Sequence, residues 1–96
     1  MSNRYQALIT EDRRRAILAF LAEVREPINE YILKRQLEDM GMLTSQLHAD
    51  LRWLHAEGLV VVEDMAGVLM TNLTSVGADV VAGRLVVKGV ARKTWG

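Results

Sequence analysis

Apolar residues recur at helical spacing three times before Gly58, and beyond it the period changes to that of strands. Ile17, Phe20, Leu21 and Val24 form the first stripe, with Ala16 beside them. Thr10 fits an N-cap, Glu11 and Asp12 place negative charge in a first turn, and Pro27 sets a stop. The pattern predicts a first helix over 10–25, preceded by an N-terminal arm over 1–9. The outer face of that helix carries Arg15, Ala19 and Ala22. Leu33, Leu37 and Met40 predict a second helix over 30–40, with Asn29 as cap, Glu30 in the first turn and Gly41 as stop. Leu47, Leu51 and Leu54 repeat the stripe in a third helix over 44–57, begun by Thr44 or Ser45 and ended by Gly58.

Leu59 to Glu63 is β-branched and too short for a helix, Asp64 to Gly67 holds turn residues, and Val68 to Leu73 reads as a returning strand. Together they predict a hairpin over 59–73. Thr74 caps a short final helix over 75–83, although Gly77 and its valines are poor helix formers. A basic tail over 84–96 follows the domain proper, residues 10–83. The expected class is mainly α with a small β-hairpin (α+β), in the order helix, helix, helix, strand, strand, helix.

Length and composition narrow the function. Ninety-six residues make one small domain, whose modest buried fraction a second copy would supplement. Twelve basic and twelve acidic residues cancel, which argues against a plainly basic nucleic-acid binder. There is no Cys, so a disulfide scaffold, a thiolate metal site and a Cys nucleophile are excluded, in keeping with a reducing compartment. The first residues lack the apolar stretch of a signal peptide and no apolar run approaches the length of a membrane span, so a cytoplasmic protein without a membrane partner is expected. No P-loop, GxSxG, HExxH or metal-ligand cluster occurs, so neither an enzyme nor a cofactor is expected.

The order of elements, the short Gly41-Met-Leu-Thr44 connection, the Leu51-Arg-Trp-Leu-His-Ala-Glu-Gly-Leu-Val60 junction and the Leu73-Thr-Ser-Val-Gly77 stretch resemble a winged helix-turn-helix domain of the ArsR-like and MarR-like kind. The resemblance covers about residues 10–83. The whole chain also resembles the small winged-helix proteins of Mu-like phages and prophages. The Arg-rich start of the first helix, the Leu73 to Gly83 segment and the Lys88-Gly-Val-Ala-Arg92 ending carry that likeness. It implies a fold and a phage setting (the host cytoplasm) without a mechanism.

On a helical wheel with Leu47 at 0°, Ser45, Ala49 and Arg52 lie at about 160°, 200° and 140°, opposite the leucines. With Gln46 and His48 they make the face that would enter a major groove, and Arg52 has the geometry to read guanine. Phosphate contacts are expected from Arg14, Arg15, Lys88, Arg92 and Lys93. Charge opposes this reading: residues 30–64 hold seven acids against three bases, a net −4, and the hairpin tip has no cation. Residues 84–96 carry +4. The question is whether folding brings that end beside the third helix.

Other features have plainer readings beside functional ones. Arg13 and Arg14 flank the apolar stripe, where arginine stems cover apolar surface with the heads in water. His48 and His55, about 10.5 Å apart along the helix, are too distant to share one metal ion. Trp53 packs on the hairpin or second helix, or anchors a partner. Val80, Val81, Leu85, Val87 and Trp95 are candidates for a homodimer surface, or close the monomer's own core. Two functions are expected: a small DNA-binding regulator or accessory factor of phage type, or a protein-interaction module in phage assembly whose acidic second helix and wing meet another phage protein.

Overall fold

In a computed structural model, which describes residues 3–93, the first apolar stripe folds as α1 (Asn3–Val24). Its helix begins well before Thr10, so residues 3–9 are helical rather than an arm. Asn3 to Ile9 contains neither Gly nor Pro, and extending an existing helix requires no new nucleus. Arg25, at φ 59°, turns the chain out of α1 ahead of Pro27.

Ile28 and Asn29 then form a short strand, β1, that the sequence pattern does not reveal. The side chain of Asn29 caps α2 (Glu30–Gln36) by accepting from the N–H groups of Tyr31 and Ile32. That helix is shorter than its stripe suggests. Leu37 leaves helical geometry, a 3₁₀ turn covers Glu38–Met40, and Gly41 is left-handed at φ 65°. The turn lifts Met40 to the surface and drops Met42 into the core in its place.

α3 (Thr44–Ala56) buries Leu47, Leu51 and Leu54 as its spacing requires. β2 (Val60–Met65) and β3 (Val68–Leu73) pair antiparallel across Ala66 and Gly67. Both turn residues have positive φ, as a two-residue hairpin loop of type I′ demands. β1 pairs with the other edge of β3, giving a three-stranded antiparallel sheet in the order β1-β3-β2. The described residues make an α+β fold, with four α-helices and this one sheet among them. Ile17, Leu18 and Leu21 of α1 meet the leucines of α2 and α3, with Leu59 and Val60, in one core.

α4 (Ser75–Ala82) begins at Thr74, whose hydroxyl accepts from Gly77 N–H. Gly77 is not a weakness in this helix. A Cβ there would stand 2.1 Å from the Leu59 carbonyl oxygen, so glycine is what lets α4 lie against the end of α3. Val80 is 3 % exposed, and Val81 and Val87, partly buried, pack on the same core, so these three candidate dimer residues contribute to the monomer's own core. Leu85 is exposed, and Trp95 lies outside the described residues.

Residues 84–93 are not a free tail. They fold back as a strap across α1 and α3, with Val90 5 % exposed. Ala91 N–H donates to the Glu11 carbonyl of α1. Gly89, at φ 103°, sits so close to Trp53 that a Cβ would fall 2.6 Å from the indole. The stem of Lys93 returns to Gly83, so the strap's two ends meet as in an Ω-loop. Gly77→Ala is expected to destabilise the protein by about 1–3 kcal/mol through overpacking against Leu59. Urea unfolding followed by circular dichroism measures the loss, and an unchanged midpoint would disprove the close approach.

Candidate functional site

The outward face of α3 separates into free and engaged side chains. Ser45, Ala49 and Arg52 are exposed. Gln46 is half-buried, and its Oε1 accepts from the Leu43 N–H at 2.9 Å. Leu43 holds the N-cap position without a side-chain acceptor, and Gln46 supplies one from the first turn. His48 points toward α2, with Nε2 2.6 Å from Glu30 Oε1. Three of the five expected groove residues are therefore open and two are tied to their surroundings.

Glu30 is only 6 % exposed. Its second oxygen accepts from the Leu69 N–H of β3 at 2.8 Å. That backbone N–H and the His48 ring hold its carboxyl below the usual glutamate range, against the opposing effect of burial. One side chain thus joins the start of α2, the middle of α3 and the hairpin strand β3. A negative charge in the first turn of α2 was legible in the sequence; its burial between three elements was not.

The arginine run has left the surface. Arg13 Nε donates to Asp50 Oδ2 at 2.6 Å and Arg14 Nε to Asp50 Oδ1 at 3.3 Å. Asp50 is 1 % exposed and Arg13 7 %, so this is a buried ion pair joining α1 to α3. On the wheel Asp50 lies at about −60°, beside Leu54, which is the signal that it would not face solvent. Arg14 also stacks 4.0 Å above the Trp53 ring and donates to the Gly89 carbonyl at 3.1 Å. Trp53 therefore packs beneath the strap and Arg14. Arg15 donates to the Val81 carbonyl at 3.0 Å and the Ala91 carbonyl at 3.4 Å, placing a cation at the C-terminal end of α4. Arg14 and Arg15, expected to contact phosphate, thus have their heads engaged within the fold, Arg14 by Asp50 and the Gly89 carbonyl and Arg15 by the carbonyls of Val81 and Ala91.

These pairings alter the charge map. Of the seven acids in residues 30–64, Glu30 and Asp50 are buried and paired, which leaves five on the surface. Lys88, Arg92 and Lys93 are all exposed on the strap. Because Gly89 rests on Trp53, one helical turn beyond Ala49, the strap runs beside the open face of α3. The second histidine of α3, His55, covers the free edge of β2, where its Nδ1 accepts from Val62 N–H at 3.1 Å. Among the described residues no helix is long and apolar enough to cross a membrane.

With this geometry in hand, comparison with known proteins places the chain. It is 39 % identical over 87 residues to the uncharacterized protein gp26 of Escherichia phage Mu, an alignment covering 88 % of this chain and 91 % of the phage protein. The chain belongs to the gp26 family. It is thus a small phage-related protein, in accord with the resemblance in its sequence. No family model matches the chain, and no solved structure matches it. Membership in the gp26 family carries no activity with it.

Two predictions follow from the buried pairs. Asp50→Ala leaves Arg13 uncompensated inside the protein and is expected to cost about 3–5 kcal/mol in urea unfolding. A loss no larger than that of an exposed substitution would refute the pairing. Glu30 is held ionised in the fold, so its contribution is present at neutral pH and is lost as pH falls through its lowered value. Glu30→Gln should therefore be less stable than the parent protein at neutral pH, and the difference should narrow below about pH 4. A difference that stays constant across an acid titration of the unfolding midpoint would contradict this role.

Proposed function

We propose that the chain binds double-stranded DNA as a winged helix-turn-helix module, with α3 in the major groove and the β2–β3 hairpin as the wing, in the service of phage gene regulation or a related accessory role. The observation that carries the reading is the seat of Gly89 on Trp53, which sets the strap and its exposed Lys88 beside α3. Ser45 and Arg52 offer hydrogen bonds to base edges, and Ala49 between them permits close approach. Lys88, Arg92 and Lys93 replace Arg14 and Arg15 as the cations for phosphate.

A second reading has the wing in its favour. Glu63, Asp64, Val61 and Met65 are exposed there, with Val61 44 % and Met65 57 % accessible, and this acidic, apolar surface suits a basic protein partner. Fluorescence anisotropy on a labelled mixed-sequence duplex separates the two. The DNA reading expects affinity that falls steeply between about 50 mM and about 200 mM salt, with a slope reduced by about one for each strap lysine or arginine replaced by alanine. Arg52→Ala should weaken binding further on a preferred sequence. Absence of binding at the lower salt would remove the DNA reading and leave the wing as a protein-docking surface.

A further inference from the structure

The first turns of α1 carry apolar side chains on the side that its own fold does not use. Every residue from Asn3 to Leu8 is exposed, and the buried positions of α1 begin only at Arg13. Leu8 stands about 180° around the helix from Ile17, the centre of the buried stripe, and Tyr5 about 120° from it. Tyr5 is 63 % exposed and Leu8 48 %. Nothing among the described residues covers them, and solvent-facing positions of a helix ordinarily hold polar residues.

The charges around Leu8 are self-complementary. Arg4 precedes it by four residues and Asp12 follows it by four, so both lie within about 40° of it on the wheel. Both are exposed, and neither joins an ion pair among the described residues. If two such helices run antiparallel about a two-fold axis at Leu8, leucine meets leucine and each Arg4 meets the other copy's Asp12. Opposite charges meet twice, and Tyr5 falls opposite Glu11, where its ring can lie along the acidic side chain's stem. Val86 of the strap, 58 % exposed, lines the same shallow groove as Glu11 and extends the apolar surface one turn beyond Leu8.

We propose that this face of α1 is the contact between two copies of the chain, paired antiparallel about Leu8. The surface differs from the patch of Val80, which is buried, and Val81 and Val87, which pack partly buried against the monomer's own core. An isologous contact of this kind closes at two copies. The contact rests on one helix face and Val86 of the strap, so the dimer is expected to form in a concentration-dependent way. The inference is independent of the DNA reading, because its test contains no DNA.

Sedimentation velocity of the full chain from micromolar to millimolar concentration tests it. The parent protein is expected to pass from monomer to dimer across this range. Leu8→Glu sets two carboxylates against each other on the axis and should hold the protein monomeric. Circular dichroism of that variant should be unchanged, because the site is exposed. Arg4→Glu and Asp12→Arg should each weaken the dimer severalfold, and the double variant R4E/D12R should restore it by exchanging the two charges. A parent protein that stays monomeric throughout, a Leu8→Glu variant that still dimerises, or a double variant as weak as the single ones would overturn the proposal.

Discussion

Asp50 is the point on which the rest of the structure depends. Its carboxylate sits almost wholly out of water between Arg13 and Arg14, and an unpaired charge there would be very costly. The pair fixes how α1 crosses α3. Arg14 then carries the constraint outward, since the same guanidinium lies on Trp53 and donates to the Gly89 carbonyl. Strap, indole and buried carboxylate are held by one side chain. Arg15, the next residue, binds the strap again at Ala91 and ties it to the end of α4.

A second polar junction holds the opposite side. Glu30 joins the N-terminal end of α2, His48 of α3 and the Leu69 amide of β3. The two junctions leave α3 with different sides for different duties. Its leucines fill the core, Asp50 and His48 bind it to α1 and α2, and Ser45, Ala49 and Arg52 remain open. The exposed Lys88 of the strap lies alongside, whereas Lys93 returns to Gly83 at the end of α4, so the neutral net charge of the chain conceals an uneven surface.

Much of the fold was legible in the sequence because the apolar spacing and the turn residues agree. Leu47, Leu51 and Leu54 announce α3, and the turn residues of Asp64 to Gly67 announce the hairpin, which closes at Ala66 and Gly67. β1 was not legible, since two residues carry no periodicity and their pairing with β3 depends on a partner far along the chain. The early start of α1 is masked in the sequence because Thr10 resembles a cap, yet nothing from Asn3 to Ile9 opposes a helix. The candidate site was legible in part. Ser45, Ala49 and Arg52 stand where the wheel puts them, whereas Gln46 and His48 are drawn away by partners at the helix start and on α2.

By itself the sequence determined the four helices and the hairpin, the apolar side of each helix and the sum of the charges, because these follow from local spacing and composition. Only the tertiary structure decided which charges meet. Arg13 and Asp50 are thirty-seven positions apart, and Arg14 and Gly89 seventy-five. No local pattern connects such residues, and whether an arginine faces phosphate or a buried carboxylate depends on what packing brings against it. The C-terminal segment shows the same division. Its positive charge is plain in the sequence, but its place beside α3 depends on Gly89, whose missing side chain allows the backbone to rest on Trp53.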